Sequence, residues 1–196
     1  MSKGEETRKR IIAKAAPLFN KKGFDGASMQ DIVAAAGLQK GSLYGHFASK
    51  EELALEAFDL AWAKTCKARA GNLDEAANSV DKLKLHVENV VTQRPFPGGC
   101  PLLNTAIDAD DGEAALRRRA QKALQSWNGL LRAIVQDGKG KGEIKREVDP
   151  EYVASLIISL LEGASFSSQL ERTGRALLIA QKHLNAYLED EVRAAG

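Results

Sequence analysis

The segment 38–53, LQKGSLYGHFASKEEL, gathers side chains that donate hydrogen bonds or carry positive charge: Gln39, Lys40, Ser42, Tyr44, His46 and Lys50. Gly41 and Gly45 stand four residues apart among them. In a helix that spacing sets both glycines on one face. Each costs a helix interior roughly 0.8–1 kcal/mol relative to alanine. Such a surface suits recognition rather than bond breaking, with cations and donors arranged around a strip that has no side chains. The chain offers no competing constellation. No Ser/His/Asp or Cys/His/Asn set has supporting context, and no ligand spacing suits a metal, so no catalytic residue, metal or cofactor is expected. His86 and His183 read as exposed or locally bonded side chains rather than as ligands.

The elements that must hold this segment are legible on either side of it. Ile11, Ile12, Ala15, Leu18 and Phe19 form one apolar stripe, which predicts a first helix over about 5–21, stopped by Gly23, with Phe24 dropping into the core. Ser28 caps a second helix with Asp31 as its capping-box partner, and Met29, Ile32, Val33 and Ala36 form its buried side. Gly37 closes that helix. A third helix runs to about Phe47, with Leu43 and Phe47 facing the core and the glycines opposite. Ser49 caps a fourth helix, with Glu52 at the box position. Residues 28–47 are therefore two short helices joined at Ala36-Gly37-Leu38, the pattern of a helix-turn-helix.

Charge supports that division. Residues 1–50 carry a net +5 and the remainder −3, so the positive excess sits with the short helices, as in a nucleic-acid-binding module joined to a domain with another task. The rest of the chain also reads as helix. Longer helices span about 51–70 and 74–94, and PFPGG breaks the chain at 95–99. A short helix opens at Cys100-Pro101, Asp110-Asp111-Gly112 forms a turn, and a long helix follows to about Val135. Residues 138–142 read as a mobile lysine-rich loop. Asp149 and Pro150 start an eighth helix, and Thr173 starts a ninth. At 196 residues the chain can hide about 70% of its unfolded surface. Two cysteines, Cys66 and Cys100, are too few for a disulfide framework and fit a reducing, cytoplasmic compartment. The charged start, MSKGEETRKR, is a poor signal peptide, and no continuous apolar run approaches the ~20 residues needed to span a membrane.

The run SMQDIVAAAGLQKGSLYGHFASKEEL resembles the TetR family of transcriptional regulators. The likeness lies in the capping Ser, the Ala-x-x-x-Gly turn, the Ser-Leu-Tyr-x-His-Phe helix and the following Ser-Lys-x-x-Leu, and covers roughly residues 7–55. The break PFPGGCPLLNTAID looks like one found in a subset of members. The resemblance implies an all-α fold, with a three-helix DNA-binding domain over residues 1–49 and a helical ligand-binding and dimerisation domain over 50–196. The protein would then be a homodimer on double-stranded operator DNA, a repressor released by an unknown small-molecule effector, without enzyme activity and without a membrane partner.

The resemblance also gives roles to residues. Tyr44 and Lys50 are expected at phosphates, Lys50 at a helix N-terminus where backbone N–H groups attract anions. Ser28 is expected at phosphate at the start of the second helix, and His46 supports such a contact. Lys40, Gly41, Ser42 and Gly45 are best placed for base edges, with Lys40 suited to guanine. The bare face lets the helix lie close to the groove floor, so selectivity rests on Lys40, Gln39 and DNA shape. Phe58, Trp62, Cys66, Val87, Val91, Phe96, Cys100, Leu103, Ile107, Trp127 and Phe166 are the candidate effector-lining residues. A rival within the family is a redox or electrophile sensor acting through Cys100, placed near a helix N-terminus. Outside it, the rival is a ligand-independent DNA-architecture protein.

Overall fold

Helix α1, Lys3–Gly26, begins earlier than its apolar stripe indicates because Ser2 and Glu5 form a capping box. The Glu5 N–H donates to Ser2 Oγ at 3.3 Å and the Ser2 N–H to Glu5 Oε2 at 2.8 Å. The computed structural model describes residues 2–93, 95–109 and 113–195, and the side chain of Lys40 lies outside the described part. The expected turn at Asp110-Asp111-Gly112 lies outside it too.

Gly23 interrupts α1 with φ +75°, and helical turns resume beyond it. Phe24 is half-buried rather than part of the core, its ring stacked on Phe19 at 6.3 Å between centroids. Helix α2, Met29–Ala36, has the expected capping box, with the Asp31 N–H 3.0 Å from Ser28 Oγ and the Ser28 N–H 3.1 Å from Asp31 Oδ2. Gly37 closes it in the left-handed region at φ 63°. Helix α3, Lys40–Tyr44, is shorter than expected. The N–H groups of His46 and Phe47 both turn back to the Leu43 carbonyl, at 3.0 and 3.1 Å, so the chain leaves the helix while Phe47 still reaches the core. Helices α4, Lys50–Ala70; α5, Ser79–Thr92; α6, Pro101–Asp108; α7, Ala114–Lys141; α8, Pro150–Glu171; and α9, Arg175–Tyr187 complete the order, and no strand forms among the described residues.

Two compact units emerge from the packing. One combines Met1–Thr65 with Phe96–Ala123, and the other Cys66–Pro95 with Leu124–Gly196. In the first, Ile11, Ala15, Ala16, Ile32, Leu43, Phe47, Leu53, Ala57, Ala61 and Phe96 form the core. Helix α6 is clasped onto the end of α1. The Asn104 side-chain amide donates to the Asn20 carbonyl at 3.0 Å and to the Gly98 carbonyl at 2.8 Å. Asn20 in turn donates to the Pro97 carbonyl at 2.8 Å, and Asp108 accepts the Phe24 N–H at 2.5 Å. A Cβ on Gly23 would lie 3.0 Å from the Asp108 carboxyl carbon, so both conformation and space require glycine there.

In the second unit α8 packs on α9 and both pack on α5. Helix α5 begins later than periodicity suggests. Asn78 caps it, accepting the Asp81 N–H at 3.0 Å, and Leu73–Glu75 form a separate 3-10 turn. Thr173 precedes α9 rather than opening it, its Oγ1 accepting the Arg175 N–H at 3.4 Å. The expected loop at 138–142 is instead the last turn of α7. Gly138 is buried, and a Cβ there would come 2.7 Å from both Ile144 Cδ1 and Ser79 Cβ. Gly142, at φ +74°, is the residue that leaves the helix. By length and composition α8 is apolar enough to cross a membrane; Val153, Ala154, Ile157, Ile158 and Leu161 are buried inside the unit.

Candidate nucleic-acid interface

Leu43 and Phe47 are 0% and 1% exposed, and they anchor the recognition segment to the core formed by α1, α2 and α4. The opposite side is open. Gln39, Gly41, Ser42 and Gly45 are exposed, and Tyr44 is 55% exposed. A Cβ added at Gly41 would meet nothing within 4 Å. One added at Gly45 would meet only the Ser42 carbonyl oxygen, at an ordinary 3.5 Å. Gly45 has φ −75°, and Gly41 is not among the positive-φ residues. Neither the fold's space nor its backbone therefore demands glycine at these positions, although both lower the helix-forming tendency of the segment.

Around the strip, Ser28 is exposed at the N-terminus of α2, and His46 and Lys50 are half-buried. Lys50 Nζ lies 4.4 Å from the centre of the Phe24 ring, which holds the cation beside the start of α4. Lys22 pairs with Asp31 at 3.1 Å, and the Ser28 backbone N–H is the first cause that holds the Asp31 carboxyl below its ordinary range. Lys40 opens α3. Between α2 and α3 runs a groove of about 390 Å³ lined by Ser28, Met29, Gln30, Val33, Ala34 and Tyr44. Met29 and Val33 are only half-buried, so they wall this groove as well as covering the core. Gln30 is exposed on its rim, and sequence reasoning passed over it; its place just after a capping serine, off the apolar stripe, is the signal that marks it.

Sequence reasoning also missed Arg8. Its guanidinium sits 4.4 Å from the Phe47 ring centre and bonds both Glu52, at 2.8 Å, and Glu56. These carboxylates raise the Arg8 pKa, the hydrogen bond with Glu56 foremost. Glu52 is shared. Its Oε1 meets Arg8, its Oε2 accepts the Ala48 N–H at 2.8 Å, and its own N–H donates to Ser49 Oγ at 3.0 Å. The expected cap of α4 is thus present, but the carboxylate closes on Ala48.

The expected effector-lining residues divide between the units. In the first, Phe58 lines a small pocket of about 30 Å³, room for a water molecule or two, together with Ala16, Ala57, Pro101 and Leu116. Phe96 and Cys100 are buried, and Trp62 and Leu103 are half-buried. Ile107 is 63% exposed, away from that cavity. In the second, Val87, Val91 and Trp127 are buried, Cys66 is half-buried and Phe166 is 52% exposed. Burial pushes the Cys66 thiol pKa up. Beside Trp127 lies a buried polar cluster. Trp127 Nε1–H donates to His86 Nε2 at 2.8 Å, which leaves the proton of the neutral ring on Nδ1, 3.1 Å from the Arg69 carbonyl. Asn89 donates to the same carbonyl at 3.2 Å. The Arg69 guanidinium stacks 4.4 Å from the Trp127 ring centre and lies 3.5 Å from Glu162. Among the described residues no group of three or more His, Cys, Asp or Glu is arranged to hold a metal.

Residues 11–57 match the family described as bacterial regulatory proteins, tetR family, and residues 78–184 match the tetracyclin repressor-like C-terminal domain. A TetR transcriptional regulator from Chloroflexus aurantiacus J-10-FL, known from its crystal structure, is 42% identical, with a TM-score of 0.95 and 100% of each chain covered. A TetR-family regulator from Cytophaga hutchinsonii is 32% identical, with a TM-score of 0.93 over 100% of this chain and 99% of that one. The HTH-type transcriptional repressor DhaR of Mycobacterium sp. (strain GP1) is 23% identical over 170 residues, 87% of this chain and 86% of its own.

Proposed function

The chain belongs to the tetR family of bacterial regulatory proteins and is a helix-turn-helix transcriptional regulator, and from that premise we propose that it is a homodimeric cytoplasmic repressor released from operator DNA by a small molecule. Residues 1–49 read the operator, and residues 50–196 bind the effector and the second copy. The observation that carries the reading is the strip at Gly41 and Gly45, kept bare although the fold has room for side chains. A bare helix face admits the backbone close to the floor of the major groove. Gln39, Lys40, Ser42 and Tyr44 then flank the contact, with Ser28, His46 and Lys50 on the phosphates. The repressor name carried by the Mycobacterium relative supports the sign of regulation.

For dimerisation through α8 and α9, three-four apolar spacing offers Val153, Leu156, Ile157, Leu160, Leu161 and Ala164 on α8 and Leu177, Ala180, Leu184 and Tyr187 on α9, with Leu188 just after it. Val153, Ile157, Leu161, Leu177, Ala180, Leu184 and Leu188 are buried within one chain, whereas Leu156, Leu160, Ala164 and Tyr187 are half-buried. The large apolar residues left outward are Tyr152, Phe166 and Leu170 on α8, at 59%, 52% and 74% exposure, and Leu178 and Ile179 on α9, each at 60%. Gly163 is exposed beside them, with open space where a Cβ would stand, which suits close helix approach.

The test is selection of duplexes from a randomised pool. A palindromic sequence should be enriched, because a two-fold dimer presents two copies of α3. Affinity should fall steeply with salt as counterions are released. Gly45→Trp should lose at least about tenfold for the selected duplex, one base contact's worth, with its melting temperature unchanged. Full affinity in that variant would remove the close-approach argument.

A further inference from the structure

Helix α3 and the start of α4 must meet the duplex together, yet residues 45–49 between them form only a short connection. One side chain outside both helices touches the connection itself and the start of α4. Arg8 of α1 lies against Phe47, the last buried residue of the recognition segment, at 4.4 Å. The same guanidinium grips the first turns of α4, bonding Glu52 Oε1 through Nη2 at 2.8 Å and Glu56 through both terminal nitrogens. The free lone pairs of Glu52 close the connection itself, on the Ala48 N–H at 2.8 Å. We propose that Arg8 is a positioning residue for DNA reading, tying the recognition segment to α4 so that Tyr44 on one side and Lys50 on the other reach the duplex in a single geometry.

The chemistry favours placement over plain stability. Arg8, Glu52 and Glu56 side chains are 32–39% exposed, where a simple ion pair adds little to folding and a forked network such as this one adds more, so melting temperature and DNA affinity are read separately. A guanidinium has a rigid fork that matches a carboxylate through two bonds and can lie flat on an aromatic ring, which an ammonium cannot reproduce. The inference rests on the DNA-reading role of α3.

The experiment uses the full-length protein and the duplex that the unmodified protein selects from a randomised pool, with an unselected duplex of equal length as reference. Arg8→Lys keeps the charge and loses the fork. Arg8→Gln combined with Glu56→Gln keeps the net charge of the cluster and loses the grip. Both should bind the selected duplex about tenfold more weakly, the cost of one impaired base contact. Binding to the unselected duplex, the salt slope and the melting temperature should stay close to those of the unmodified protein. Hydrogen exchange at the Ala48 amide should quicken in both. Undiminished affinity in Arg8→Lys would reduce Arg8 to a charge and overturn the proposal. So would a salt slope lower by about one in the double variant, the mark of a lost phosphate contact. Failure of the unmodified protein to enrich any duplex would overturn the DNA reading itself, and this inference with it.

Discussion

His86 ties the stability of the second unit to pH in a way that can be measured. The ring is 0% exposed, accepts one hydrogen bond from Trp127 and donates the other to the Arg69 carbonyl. Both nitrogens are therefore committed to the neutral form. Burial, followed by the nearby Arg69 charge, lowers its pKa from 6.5 to about 4. In the unfolded chain the ring takes up a proton near pH 6.5; in the folded chain it does not until about 4. Across that window the unfolded state holds one more proton, so stability is fully present above pH 6.5 and is lost as pH falls toward 4. The total is about 3 kcal/mol, with a slope of about 1 kcal/mol per pH unit in the middle of the window. His86→Gln removes the titration while keeping a neutral polar side chain. Urea unfolding followed by circular dichroism at fixed protein concentration, from pH 4.5 to 7.5, gives both curves. The carboxylates held below their ordinary range, Glu143 and Glu189 among them, contribute equally to both proteins and cancel in the difference. The slope of the unmodified protein should exceed that of the variant by about 1 kcal/mol per pH unit near pH 5.5. Parallel curves would show that water or a rearranged Arg69 reaches the ring, and the dry neutral cluster would have to be abandoned.

Two further outcomes are expected. Ile179→Glu, at a 60% exposed position, should give a folded monomer by light scattering, whereas Leu184→Glu, at 0% exposure, should lose helical signal and melt many degrees lower; a dimeric Ile179→Glu would move the interface off α9. Cys100, 8% exposed at the N-cap of α6, should tolerate Cys100→Ser with unchanged binding to the selected duplex and no release by diamide in either protein; release from the native protein alone would establish the thiol as a trigger.

What the sequence makes legible is local. The Ser28–Asp31 box, the left-handed Gly37 and the Asp149 cap each involve residues within a few positions of one another, and each is found as the pattern indicates. The division of exposed and buried sides in residues 39–47 follows from the same short-range spacing, apart from the early end of α3. Distant partnerships leave no such trace. Arg8 is 44 and 48 residues from its two carboxylates, so nothing in its neighbourhood marks it. Glycine misleads for a related reason, because a turn and a tight packing contact both select it. Gly138 is misread as loop because its partners, Ser79 and Ile144, are supplied by other segments. The apolar stripes of α8 and α9 show a third limit. Three-four spacing reveals that a face is covered, and only the packing reveals that Leu161 and Leu184 are covered by the same chain.

The clasp at Asp108 has a consequence for the order in which the protein is made. The first unit is discontinuous, combining Met1–Thr65 with Phe96–Ala123. When the helix-turn-helix leaves the ribosome, Phe96, Asn104 and Asp108 have not yet been synthesised, so the end of α1 lacks the groups that accept the Phe24 N–H and hold Asn20. The DNA-reading part, although first in sequence, is completed only after a long intervening segment has emerged. At translation rates of about 5–20 residues per second that is a delay of several seconds. A nascent or truncated chain ending before α6 is therefore poorly prepared to engage DNA. A reading head transplanted at residue 49 leaves behind part of its own support, and a graft that carries residues 96–123 with it restores the clasp.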